Sequence, residues 1–369
     1  MNRRANIINA VVSTALSVGA LLAVVLVCNE GYKSATMGEV LSLVIAGAIV
    51  SGFITTLLHE LCHVMTAKRN GFAVVSFTVW FFKWTKIGGK TTFKFVMLGD
   101  AAGYTEIVPK DTDDLAKRLK TVTLVPLAVT LVLALLGIVP LFFAGKMPLW
   151  LYAFTSVFFP IGIYSFSGNA LPSESEGVRN DGALIKGLKT GDDESRVVLA
   201  ILSAQSELYK GKTPAEIDEK LYFDLPQIRE DSINFASLLF MRYEYYLDKE
   251  DYENAERMLS RLSSLEEYLS KPIMRLVKTE ELYAACTFKK NADRADELTF
   301  ELEKFLNSVN VSETIRAKIA YKLYIKGEKD GLDTFYNRGI REANKCPLAG
   351  QGAFEKKLLA RMKDDILSD

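Results

Sequence analysis

The sequence predicts a mainly α-helical fold: a polytopic membrane core of about four transmembrane helices with a small β-hairpin insert, followed by a C-terminal domain of α-helical repeats. Hydrophobic residues make up 49% of the 369 residues although 24% are charged, as expected for a chain divided between membrane and soluble parts. The long apolar runs end near Phe166, and the sequence after Lys186 is polar. Residues 1–37 are therefore predicted to form an anchor, residues 38–189 the membrane core and residues 190–369 the repeat domain.

Four apolar segments are long enough to cross a bilayer, which takes about 20 residues: residues 7–27, 40–67, 119–143 and 149–166. A cleaved signal peptide is the alternative for residues 7–27. However, this segment is longer than the apolar region of a typical signal peptide, and no small-residue cleavage pattern follows it. Arg3, Arg4, Lys68 and Arg69 flank the first two spans, so the positive-inside rule places both termini in the cytoplasm. The 45 basic and 45 acidic residues balance, so charge does not indicate nucleic-acid binding.

A β-rich insert is predicted at residues 72–109, between the second and third spans. Residues 72–87 are rich in Phe, Val, Trp and Thr and favour a strand. Gly88-Gly89 is a candidate hairpin turn, residues 91–98 are the return strand, and residues 99–104 form a loop before a short extended piece. The edge of this sheet can bind an extended substrate by strand addition. A purely structural hairpin on the membrane surface is the alternative.

The C-terminal part shows helical periodicity with helix–turn–helix junctions about 38 residues apart, near the period of tetratricopeptide-like repeats. The junctions lie at residues 207–211, 245–249, 287–291 and 323–327. An α-solenoid of three to four helix pairs would offer a concave surface for a substrate tail or a regulator. A helical bundle that only packs against the membrane core is the alternative.

The chain contains 2 histidines, and both lie in the second span. His59 and His63 are four residues apart, so on a helix they share one face and can bind one Zn²⁺. Glu60 lies beside the first and can take a proton from water, since H-E-x-x-H on a helix is typical of zinc proteases. A chance match is the alternative, but ionisable residues within a membrane are costly and usually functional.

A third zinc ligand must come from elsewhere, because a catalytic zinc usually has three protein ligands and one open position. No further histidine exists, so the ligand must be a carboxylate or a thiolate. Asp181, which follows the fourth span and precedes Gly182, is the best candidate. The alternative for Asp181 is a capping role at the start of the next helix.

Together these motifs resemble those of the site-2 protease family of intramembrane zinc metalloproteases. The family's first motif is similar to H-E-L-C-H at residues 59–63, and its second, N-x-x-P followed by D-G, is similar to residues 169–172 and 181–182. The resemblance implies that the two histidines and Asp181 hold the zinc and that Glu60 is the general base. It also implies that Asn169 holds the substrate backbone or the developing oxyanion.

Two further segments are similar to family motifs. Ala102-Gly103-Tyr104 resembles a Gly-Gly-Tyr loop before the third span, and residues 125–129 resemble G-P-x-A-N. Val125 and Val129 stand where the family has Gly and Asn, and the spacer before Asp181 is longer than in the commonest form. The resemblance covers residues from about 40 to 188, roughly 40% of the chain.

The resemblance implies a zinc metalloendopeptidase that hydrolyses a peptide bond in or near a transmembrane segment of a membrane protein or peptide precursor. The expected location is the cell membrane, as a multi-pass protein with cytoplasmic termini. The expected partners are the lipid bilayer, the substrate, and a regulator or substrate tail bound by the C-terminal repeats. The alternative is a membrane-anchored adaptor with a structural zinc site, in which the repeat domain recruits a partner.

Overall fold

The computed structural model describes residues 3–97, 102–175 and 177–367, and 70% of the structure is helical. Two compact units are present. The first comprises residues 1–85, 91–107 and 113–195, and the second comprises residues 86–90, 108–112 and 196–369. The mainly helical class predicted from the sequence is confirmed.

Within the described residues of the first unit, four helical segments are long and apolar enough to cross a membrane. They are α1 (Arg3–Gly31), α2 (Met37–Arg69), α3 (Leu115–Leu136) with a following 3₁₀ turn (Val139–Phe143), and the pair α4 (Leu149–Ser156) and α5 (Phe158–Ala170). Helix α2 begins at a capping box in which Thr36 and Glu39 bond each other's backbone N–H groups, which fixes its start. The four predicted spans are thus confirmed as long apolar helices.

The fourth span is divided, whereas the sequence predicts one helix. Helix α4 ends at Ser156 and α5 begins at Phe158. Pro160 lies in the first turn of α5, and its missing N–H cannot donate to the carbonyl of residue 156. Helix α5 packs closely on α3, since a Cβ on Gly162 would lie 2.7 Å from the Cβ of Ala134.

The insert is a four-stranded antiparallel sheet rather than a single hairpin. Its strands are β1 (Phe72–Val79), β2 (Phe82–Ile87), β3 (Lys90–Phe95) and β4 (Gly103–Pro109), in the order β3-β2-β1-β4. The predicted strand at 72–87 is two strands, because the chain turns at Trp80, whose φ is +54°. The predicted turn at Gly88-Gly89 is present, with φ of +55° and +78°, values that favour glycine. Residues 98–101 of the predicted return strand and loop lie outside the described residues.

A second small feature joins the fourth span to the next helix. Strands β5 (Glu174–Ser175) and β6 (Val178–Arg179) pair, with Glu174 opposite Arg179. Helix α6 (Asp181–Thr190) follows and ends at Gly191, whose φ is +66°. This arrangement brings the start of α6 back to the end of α5.

The second unit consists of paired helices, as predicted. Helices α9 and α10, α11 and α12, and α13 and α14 pack as neighbours, and the four predicted junctions lie where one helix ends before another begins. The helices are α7 (Asp193–Lys210), α8 (Lys220–Phe223), α9 (Ile233–Asp248), α10 (Tyr252–Ser263), α11 (Lys271–Cys286), α12 (Ala292–Ser308), α13 (Ser312–Ala320), α14 (Leu332–Ala343), α15 (Ala349–Ala360) and α16 (Lys363–Leu367).

The core of these helices contains a buried charge network. Arg316 donates from Nη2 to Glu280 (2.8 Å) and from Nε to Glu355 (3.0 Å), and Tyr243 donates to Glu280. Burial raises the pKa of Glu355 to about 8, although Arg316 acts in the opposite direction. One cation therefore faces two carboxyl groups in an apolar interior, where removing one partner leaves a costly uncompensated charge.

Candidate metal centre

The two histidines of α2 lie close to Asp181 in the structure, although Asp181 is far from them in sequence. His59 Nε2 and His63 Nε2 lie 3.2 Å apart. The Oδ2 atom of Asp181 lies 3.4 Å from the first of these nitrogens and 3.5 Å from the second. The three residues form a group that can hold a metal ion.

The geometry of this triangle fits a small tetrahedral cation. Bonds of about 2.0–2.1 Å to such an ion place neighbouring ligand atoms about 3.3–3.4 Å apart, which matches the three separations. Asp181 Oδ2 is buried and accepts no hydrogen bond from the part of the chain that the structure describes. A buried carboxylate oxygen without a donor is costly, and a bound cation would compensate it. Burial raises the pKa of Asp181, but the two imidazoles outweigh this effect and hold it below its ordinary value.

Asn180 and Gly182 position Asp181. Asn180 is the N-cap of α6, where its Oδ1 accepts from the Ala183 N–H (3.0 Å), and its Nδ2 donates to the carbonyl oxygens of Gly168 (2.7 Å) and Leu171 (2.8 Å). A Cβ on Gly182 would lie 2.1 Å from the Ala170 carbonyl oxygen. Asp181 is therefore the first residue of α6. Asn180 caps this helix, so the capping role that was the alternative for Asp181 belongs to its neighbour. The sequence offered one signal for this role of Asn180, because asparagine is a preferred residue at the N-cap of a helix.

Glu60 lies against strand β4. Its side chain is buried, and the Thr105 hydroxyl donates to its Oε2 over 2.5 Å. A Cβ on Gly103 would lie 2.5 Å from its Oε1, so a larger residue at this position would displace the carboxylate. Ala102-Gly103-Tyr104 was predicted to be a loop, but its last two residues, Gly103 and Tyr104, begin strand β4. Thr105 could not be found from the sequence, because its contact spans 45 residues.

Asn169 lies near the end of α5. Its Nδ2 donates to the Ser165 carbonyl oxygen of its own helix over 3.0 Å. Among the described residues, it makes no hydrogen bond to the two histidines, Glu60 or Asp181. Its backbone carbonyl borders Gly182, so Asn169 is a neighbour of the α5–α6 contact that positions Asp181. The predicted role of its side chain remains a prediction.

Comparison of the chain with protein-family models, with curated proteins and with solved structures gave no match. The site is therefore described by the side chains that it brings together. Two imidazoles and one carboxylate converge on a single point, and a second, buried carboxylate lies on the same helix as the imidazoles.

Proposed function

We propose that the protein is an intramembrane metalloprotease that uses zinc and cleaves a peptide bond in or near a transmembrane segment. The observation that carries the proposal is the convergence of Asp181 on His59 and His63 within an apolar helical unit, with Glu60 adjacent. The motifs shared with the site-2 protease family support the same function. The expected location is the cell membrane, with both termini cytoplasmic.

Zinc is the metal that this donor set favours. Two imidazole nitrogens and one carboxylate oxygen are a common set in catalytic zinc sites, which leave a fourth position open. Among the described residues, the cluster includes no fourth protein ligand, as an open catalytic site requires. A bound Zn²⁺ would supply a Lewis acid that activates water and polarises a carbonyl group.

Glu60 is the proposed general base. It takes a proton from the attacking water and later transfers it to the leaving amine. The hydroxyl of Thr105 and the bare backbone at Gly103 hold its carboxylate in one orientation. A base held by buried neighbours has little freedom to leave the reactive geometry, which favours proton transfer.

The substrate is proposed to bind along β4 as an added strand. Strand β4 is at the edge of the sheet order, and it also carries the residues that contact Glu60. Added strands pair through main-chain hydrogen bonds, so a peptide on this edge would pass close to the general base. Asn169 would then contact the substrate backbone or the developing oxyanion after a change of its side-chain rotamer.

An apolar groove of about 560 Å³ lies between α3, α5 and α6, lined by Leu127, Phe166 and Ile185 among others. Gly182, the neighbour of Asp181, forms part of its wall. We propose that the groove accepts apolar side chains of the substrate segment. The paired helices of the second unit are proposed to bind a substrate tail or a regulator, because helical repeats usually offer such surfaces.

The test compares membrane peptides in cells that express the wild-type protein, E60Q or E30Q. Glu30 is an exposed glutamate at the end of α1, so E30Q is a matched control. E60Q should keep its zinc and lose cleavage by roughly 10²–10⁴-fold, so that uncut membrane peptides accumulate. Equal peptide profiles for E60Q and wild type would contradict the proposal.

An adaptor with a structural zinc site is the alternative function. Structural zinc sites are usually closed by four protein ligands, and Cys62, the nearest thiol in sequence, is not part of the cluster. Zinc held by four protein ligands, together with full function of E60Q, would favour the adaptor.

A further inference from the structure

The two histidines each have a second ring nitrogen that faces away from the ligand triangle. Their Nε2 atoms face Asp181, so the Nδ1 atoms are left for other partners, and the partner of the His59 Nδ1 lies on α3. We propose that Thr130 orients the imidazole of His59, with the proton on Nδ1 and the Nε2 lone pair free. The inference rests on the proposed metal centre.

His59 is oriented through Thr130. Its Nδ1 lies 2.9 Å from the Thr130 Oγ1, and that hydroxyl donates to the Pro126 carbonyl oxygen over 2.9 Å. A hydroxyl has one hydrogen, so once it donates to the carbonyl it accepts from the ring. Nδ1 is then the protonated nitrogen of His59. Thr130 is fully buried, so solvent water does not compete for this contact.

The consequence for metal binding follows from which nitrogen keeps its lone pair. A proton on Nε2 of either ring would point into a triangle whose sides measure 3.2–3.5 Å and would block a ligand position. Outer partners that hold the other ring nitrogen protonated fix the tautomer and raise ligand basicity. Thr130 is thus a positioning residue that acts through His59.

The experiment uses metal-free full-length protein in detergent micelles, with ¹⁵N-labelled histidine. Because the chain has 2 histidines, the NMR spectrum reports two rings, and the nitrogen shifts identify the tautomer of each. In the wild type the ring of His59 should be protonated on Nδ1. T130V should give His59 a mixture of tautomers and leave His63 unchanged, and T130S should restore the wild-type spectrum.

The variant P126A is the control. An alanine at this position leaves the backbone carbonyl that accepts from the Thr130 hydroxyl, so the tautomer of His59 should not change. Zn²⁺ affinity should fall by roughly 10–100-fold in T130V, the usual effect of removing an outer partner, and stay near wild type in T130S. An unchanged His63 signal in T130V would exclude a general loss of structure.

A wild-type spectrum with the proton on Nε2 of His59 would overturn the proposal, as would a wild-type spectrum and wild-type zinc affinity in T130V. Failure of the proposed function gives a different result. If the wild type carried the His59 proton on Nδ1 but bound no zinc, the hydrogen-bonding scheme would be supported and the metalloprotease contradicted.

Discussion

Replacement of Gly182 by alanine should disrupt the metal centre without touching a ligand. The new Cβ would lie 2.1 Å from the carbonyl oxygen of Ala170, whereas ordinary contact begins at 3.4 Å. The atom that it meets is backbone at the end of α5, so α6 must move by about 1 Å, at a cost of about 1–3 kcal/mol for overpacking. Asp181 is the adjacent residue and moves with α6. Metal sites tolerate ligand displacements of only about 0.2 Å.

We expect G182A to bind zinc at least roughly tenfold more weakly, within the range seen when ligand orientation is lost. G168A is the matched control, because Gly168 lies in α5 and a Cβ there would meet nothing within 4 Å. That variant should bind zinc normally and be slightly more stable, by about 0.5–1 kcal/mol. The assay is zinc titration of purified protein in detergent, with thermal unfolding in parallel. Equal zinc affinity in G182A and G168A would refute the argument that this close contact positions Asp181.

Three further predictions concern other parts of the molecule. G103A should keep its zinc but cleave at least about tenfold more slowly, because the added Cβ displaces the Glu60 carboxylate; unchanged turnover of a membrane peptide would contradict this. The second unit should lose stability by on the order of a few kcal/mol as the pH rises from about 4.5 through 8, since a carboxyl with a raised folded-state pKa favours folding only while protonated. E355Q should flatten the pH dependence of the free energy of unfolding, measured with urea. An equally steep loss of stability in E355Q would show that another group causes the pH dependence. A membrane-impermeant maleimide should label K33C from outside intact cells and K189C only after lysis; the reverse pattern would invert the proposed topology.

The sequence predicted the spans and the three residues that converge in the candidate metal centre, and these predictions rest on patterns and ligand chemistry that can be read from the sequence. Apolar length identifies a membrane helix, and a spacing of four residues aligns His59 with His63 whatever the tertiary structure. Asp181 was the best candidate for a third ligand because a catalytic zinc usually has three protein ligands, with helix capping as the alternative. These inferences needed no knowledge of how the helices pack.

The contacts that position the site could not be predicted in the same way. Thr105 contacts Glu60, and Thr130 contacts His59, across 45 and 71 residues of sequence, and neither residue belongs to a recognisable motif. Asn180 gave a local signal as a helix cap, but its bonds to the end of α5 depend on the path of the intervening chain.

Two breaks in regular structure were also missed, for different reasons. The turn at Trp80 contains no glycine or proline and places a bulky residue at φ +54°, a conformation that such residues rarely adopt. The break between α4 and α5 was signalled by Pro160, but proline is tolerated in membrane helices. Pro126 shows this tolerance, since α3 continues through it.

The central feature of the proposed site is one zinc ion held by three side chains. Zinc content and X-ray absorption of the protein purified without chelators would test this claim, with D181A and H59A beside the wild type. We predict one zinc per chain in the wild type, with nitrogen and oxygen ligands at about 2.0–2.1 Å, and zinc lost or bound far more weakly in both variants. One zinc per chain in D181A, with unchanged affinity and ligand distances, would contradict the central claim.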